Sequence, residues 1–264
     1  MTEHEIYPSA PVVYVVLEVR HPSADAIGKA ERNLLKRELA KRTPIMKTAQ
    51  AVSFQIQAGV VGAAPSLNVE EFPKYFNRDT TLSVSFKQES IVIESSVYAG
   101  WEAFRDVARL AFDARTTLDP VDGVERVGLR YINELRVPGD PPEWRLWLRD
   151  GLFEPPIGEI IDMPLNQWQG LVTYGNDPGQ TLALRYGPRE GVTVVEPNPD
   201  LKRPKSANGP YFLLDIDSYW VPDDGTPEFD PKNLEQVCDD LHAPVRRMFE
   251  GLVTQRLRDE VLRK

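Results

Sequence analysis

The sequence predicts an α+β fold built from two similar antiparallel β/α halves and ended by a long C-terminal amphipathic helix. Three observations lead there. β-rich segments occur in runs and outnumber helical ones, which favours α+β over a strictly alternating, doubly wound sheet. Two amphipathic helical segments each follow a strand that ends in aromatic residues: Tyr98 precedes the helix at Trp101, and Tyr219-Trp220 precede the last one. The longest helical pattern closes the chain. No residue-level repeat accompanies this symmetry, so the expectation concerns architecture alone. The boundary is placed at the turn Gly139-Asp140-Pro141-Pro142, dividing the 264 residues into 1–138 and 139–264, either as two units or as one continuous domain.

In chain order, Val12 to Arg20 is β-branched and bounded by Pro8, Pro11 and His21-Pro22, which reads as a strand. A helix starting at Ser23 or Asp25 runs to about Lys41, with Leu34, Leu35 and Leu39 on its apolar side. Its outer face is basic, and Arg32, Lys36 and Arg37 form a candidate patch for an anion or an acidic partner. The alternative is a solvated face balanced by neighbours. Strands follow at Ala51–Ala58, Leu82–Gln88 and Ile91–Ala99, the last two joined at Glu89-Ser90 as a hairpin. Gly59–Thr80 reads as an ordered connection. Trp101–Ala114 is a helix with Phe104, Val107, Ala111 and Phe112 in register.

Val124–Val137 is a central strand in which Gly128 marks a bulge or a close approach. Residues 139–164 read as short helical turns. Strands are expected at Gln167–Tyr174, Thr181–Tyr186 and Val192–Glu196, with a turn at Asn176-Asp177-Pro178-Gly179. Pro197–Gly209 reads as an exposed loop. Tyr211–Trp220 is a strand, and Asp230 and Pro231 cap and open the terminal helix. Its stripe runs from Leu234 to Val261, and Pro244 predicts a kink or a break near His242–Pro244. Gly251, costly in a helix, points to close packing.

Together the Val-Leu-Glu-Val-Arg strand, Gly-Leu-Arg-Tyr-Ile-Asn at 128–133, Leu-Leu-Asp-Ile-Asp at 213–217 and the terminal Leu241-His242…Phe249…Leu252-Val253-Thr254…Arg258 pattern resemble a sporadically distributed prokaryotic family of uncharacterised proteins of similar length. The resemblance spans nearly the whole chain and carries no catalytic residues. It implies an accessory role, such as a component of a defence or toxin–antitoxin locus.

Composition narrows the chemistry. The formal charge is −9, the wrong sign for a protein that binds nucleic acid in bulk through phosphate neutralisation. No run of about 18 apolar residues is present to span a membrane, and the acidic N-terminus lacks a signal-peptide pattern, so a cytoplasmic location is expected. With three histidines and one cysteine, Cys/His zinc spacing is absent, as are a nucleophile elbow and phosphate-binding glycine loops. Cys238 and His242, at i and i+4, sit on an apolar stripe unsuited to a thiolate.

No catalytic residue is assigned, and no cofactor is expected beyond a divalent metal. Asp215 and Asp217 are the candidate metal ligands. At i and i+2 of a strand they share a face and suit Mg²⁺ or Mn²⁺ with a substrate phosphate. Glu18, Glu94 or Glu134 would supply a third ligand. Arg130 and Asn133 are candidate anion ligands, although alternation puts them on opposite faces and Arg130 is equally placed to pair with Asp215 or Asp217.

Three functions follow as expectations: a non-enzymatic interaction or regulatory protein with another protein as its partner, homo-oligomers included; a Mg/Mn-dependent phosphoester hydrolase; and a small-ligand sensor with a pocket between sheet and terminal helix.

Overall fold

The computed structural model describes residues 5–55, 66–153, 160, 167–176, 179–195 and 200–264. Helices and a large antiparallel sheet make it a mixed α+β protein. Among the described residues there are nine strands, β1 (Val12–Arg20), β2 (Ile45–Gln55), β3 (Ser66–Phe76), β4 (Leu82–Phe86), β5 (Ser90–Ser95), β6 (Arg126–Leu135), β7 (Gly170–Asn176), β8 (Gln180–Gly191) and β9 (Gly209–Trp220). They form one sheet in the order β2-β3-β4-β5-β1-β6-β9-β8-β7. Both stretches flanking residue 139 therefore contribute to the same sheet, and they meet where β6 pairs with β9.

Alternation sorts the strands into two faces. Val15, Leu17 and Val19 of β1, Ile91 and Ile93 of β5, Leu129 and Tyr131 of β6, and Phe212, Leu214 and Ile216 of β9 form the buried face. Among the described residues it is covered by the helices α1 (Lys29–Glu38), α2 (Trp101–Thr116) and α3 (Pro231–Leu252). Leu35 and Leu39 on and just after α1, Phe104, Val107 and Phe112 of α2, and Leu234, Cys238, Leu241 and Val245 of α3 complete the main core, and Ile132, Tyr211 and Leu213 form a smaller cluster on the other face. No described helix is long and apolar enough to cross a membrane.

Several elements depart from expectation. β3 was expected as a connection. Its residues 66–73 pair with β2 alone, and only Lys74–Phe76 also reach β4. A two-stranded ribbon beyond the sheet has little apolar face to bury, so Glu70, Glu71 and Pro73 disguise it as a loop. β2 begins at Ile45, and residues 56–58 of the expected strand lie outside the described residues.

α1 starts at Lys29 after Gly28, because His21 and Ala24 donate backbone N–H groups to Glu89 and Gln88 and hold the preceding segment extended. The β4–β5 connection is Lys87-Gln88-Glu89, closed by Lys87 N–H to Ser90 O at 2.8 Å.

β8 runs on to Gly191, past the expected end at Tyr186, whereas of the strand expected at Val192–Glu196 residues 192–195 are bends and irregular backbone and residue 196 lies outside the described residues. Pro188 is tolerated because β7 pairs only with residues 180–186, leaving Pro188 on an edge where no ladder N–H is needed. Of residues 139–164, Trp144–Leu146 forms a helical turn and Ile160 is helical, while residues 154–159 and 161–164, like Asp177-Pro178 of the expected turn, lie outside the described residues. The loop after β8 is not simply exposed: Leu201 is buried, and Glu134 binds Thr193 Oγ1 and Val194 N–H from within the sheet.

α3 is capped by Asp230, which accepts from Lys232 N–H, and runs unbroken through Pro244. The carbonyl of Asp240 that Pro244 cannot serve accepts instead from Gln180 Nε2 at 3.2 Å. The helix ends later, at Val253, where Leu148 bridges to Val253 and Thr254 caps a further turn. Gly251 has no close neighbour: a Cβ there would meet nothing within 4 Å, so close packing does not explain it. At Gly128 the close approach is made by the Arg126 guanidinium, 2.6 Å from where a Cβ would stand, and not by backbone.

Candidate functional site: a cavity between the sheet and the terminal helix

The sequence candidates fall in three places. Arg130, Asp215 and Asp217 lie on the sheet face away from the helices. Arg130 donates from Nε and Nη2 to the two Asp215 oxygens, both at 2.7 Å, and Arg185 lies 3.6 Å away. Asp215 is buried, so this fork sits where a charged hydrogen bond is strong. Burial raises the Asp217 carboxyl above its ordinary range, against the pull of Arg126 and Arg130.

The carboxylates considered as third ligands are engaged elsewhere. Glu18 pairs with Arg20 and Arg126, and Glu94 with Lys74 at 2.7 Å. Glu134 binds the loop and Arg136. Among the described residues no group of three or more His, Cys, Asp or Glu is arranged to hold a metal.

Arg32, Lys36 and Arg37 remain together on α1. Arg32 donates to Ile27 O and Thr48 Oγ1, while Lys36 and Arg37 are exposed. Asn133 lies on the helix-covered face, opposite Arg130. Its Nδ2 donates to Leu214 O at 2.9 Å.

Asn133 borders a feature that none of the other candidates reaches. A chamber of about 120 Å³ lies between β6 and β9 below and α3 above. Val12, Ile216, Val245 and Phe249 supply apolar walls, and Tyr98, Tyr131, Asn133 and His242 supply polar groups. Gly100 turns the chain from β5 into α2 at φ 101°, with Ile6 packed 3.3 Å from where its Cβ would be. That turn brings Trp101 edge-on to His242, ring centroids 4.3 Å apart. Tyr98 and Tyr131 stack edge to face at 5.3 Å, and their hydroxyls are 3.2 Å apart.

Both phenols are neutral at physiological pH. Burial pushes Tyr98 up to about 12, and pushes Tyr131 well above the ordinary tyrosine value. Cys238, on the buried side of α3, is likewise raised by burial and is an inert thiol.

The chamber opens into a basin of about 840 Å³ that shares Tyr7, Trp101, His242 and Arg246 with it. The rim carries paired charges. Asp239 accepts from Trp101 Nε1 at 2.8 Å and from Arg105 at 2.9 Å, joining α2 to α3. Glu250 accepts from Tyr7 and Arg258, and Glu5 forms a fork with Arg263 at 2.6 and 2.8 Å. Ser9 N–H donates to Leu262 O, so residues 5–9 lie as a strap against the C-terminal turn.

Sequence reasoning missed Tyr98, Tyr131 and Arg246 as site residues. A signal did exist: Tyr131 and Asn133 hold buried-face positions of β6, and His242 interrupts the apolar stripe of α3. Polar groups on buried faces need partners or a ligand. No protein-family model and no curated protein matches the chain.

Proposed function

We propose that the protein is a small-ligand-binding module whose site is the chamber between the sheet and α3. The observation that carries this reading is the chamber itself: apolar walls, a few convergent polar groups and an opening to solvent, the usual form of a small-molecule site. At about 120 Å³ it is comparable to the roughly 150 Å³ apolar cavity that accepts benzene.

The architecture supports the same reading. We infer two similar halves, divided between α2 and β6 and not at residue 139 as expected: β1 joined to the β5-β4-β3-β2 run and followed by α2, and β6 joined to the β9-β8-β7 run and followed by α3. The chamber lies where they meet, with Tyr98 and Trp101 from the first half and Tyr131, His242 and Arg246 from the second. A hydrolase centred on Asp215 and Asp217 has less support, because Arg130 already holds both oxygens of Asp215.

The test is binding of benzene as a minimal apolar guest, followed by NMR shifts of the methyl groups of Val12, Ile216 and Val245. Wild type is expected to bind with saturable shifts at those methyls, and Val245→Phe, which fills the chamber, to abolish them while keeping its melting transition. Shifts that persist in Val245→Phe, or none in wild type, would defeat the reading.

A further inference from the structure

The rim of the chamber carries an imbalance of committed charge. Each acidic side chain that reaches it already has a cationic partner: Glu5 with Arg263, Glu250 with Arg258, and Asp239 and Glu102 with Arg105. Arg246 differs. It is half-buried on α3, borders both the chamber and the basin, and makes no ion pair or side-chain hydrogen bond among the described residues. A guanidinium drawn partly out of water without a counter-charge is costly, and its planar fork matches a carboxylate.

A second observation concerns the phenols. The Tyr98 and Tyr131 hydroxyls share one hydrogen bond. Two hydroxyls have two protons, and one such bond uses only one. The pair thus keeps one proton to donate to an acceptor inside the chamber.

Resting on the ligand-site reading above, we propose that the chamber binds a small carboxylate with an apolar body the size of a benzene ring, the body among Val12, Val245 and Phe249 and the carboxylate against Arg246. The leftover phenol proton serves the same anion or a polar substituent on the body. The chamber volume sets the upper limit on the body, and the wider basin leaves room for a longer polar head.

The experiment is isothermal titration with benzoate and benzamide, which share a ring and differ in charge. The proteins are wild type, Arg246→Met and Arg246→Lys, each first checked for an unchanged melting transition without ligand. Wild type is expected to prefer benzoate to benzamide by at least about tenfold. Arg246→Met should weaken benzoate by about 10- to 100-fold, the range for a lost hydrogen bond to a charged group, and leave benzamide unchanged. Arg246→Lys should recover part of the loss.

Equal affinity for the two compounds, or a benzoate affinity indifferent to Arg246→Met, overturns the carboxylate assignment. If benzene binds and benzoate does not, the assignment fails and the chamber reading stands; if neither binds, both fail.

Discussion

At the scale of single residues, two aspartates a strand's alternation apart have opposite roles. Asp215 is buried under the Arg130 fork, with Arg185 beside it. Asp215→Asn removes the charge and leaves two guanidinium groups facing a neutral amide, and is expected to cost about 1–3 kcal/mol. Asp217 makes no ion pair among the described residues, and burial raises its carboxyl above 3.8. The folded state therefore holds the Asp217 proton more tightly than the unfolded chain does. Ionisation destabilises the fold at neutral pH, and that penalty fades as pH falls through the raised value toward 3.8. Asp217→Asn is expected to raise the urea midpoint at neutral pH and to bring little change near pH 3.8. A lower midpoint at neutral pH would show that Asp217 acts as a net-stabilising counter-charge for Arg126 and Arg130.

Elements show how tertiary contacts rescue locally poor choices. Proline inside a helix costs about 3 kcal/mol against alanine, yet α3 passes through Pro244, and Gln180 on β8 supplies the hydrogen bond that Asp240 O lost. In a thermal-denaturation double-mutant cycle, Gln180→Ala should cost about 0.5–1.5 kcal/mol in wild type. It should cost nearly nothing beside Pro244→Ala, where the new backbone N–H serves Asp240 itself. A Gln180→Ala cost that is the same in both backgrounds would refute the coupling. The β2–β3 ribbon makes the complementary point. Its pairing to β2 is continuous over residues 66–76, but so little of it joins the sheet that its composition resembles a connection.

Across the whole molecule, the two ends of the chain meet at the chamber rim. The strap of residues 5–9 is held by an exposed fork, Glu5 to Arg263, and by the part-buried set of Tyr7, Glu250 and Arg258. Exposed pairs contribute about 0–1 kcal/mol, so Arg263→Ala should barely change amide exchange in the strap. Arg258→Ala leaves Glu250 and the Tyr7 hydroxyl without their cation, and should speed exchange at Ile6, Tyr7 and Ser9 several-fold with β6 unaffected. Equal acceleration by both substitutions would show that the strap depends on total charge and not on the buried set.

The sequence by itself determined what depends on near neighbours. Strand alternation separates Arg130 from Asn133, and the pattern of β6 and β9 is apolar enough to mark central strands. Asp230 and Pro231 announce the start of α3, since a cap acts within one turn. Even the polar intrusions at Tyr131, Asn133 and His242 were legible as residues in need of partners. Tertiary structure alone decided which partners they found. Tyr98 meets Tyr131 because β5 and β6 flank β1 and Gly100 turns α2 across them. Arg246 is left without an acid because Glu250 and Glu5 turn to Arg258 and Arg263. Hydrogen bonding and charge pairing are settled by distance in space, between groups up to 258 residues apart in the chain, and local spacing carries no record of it.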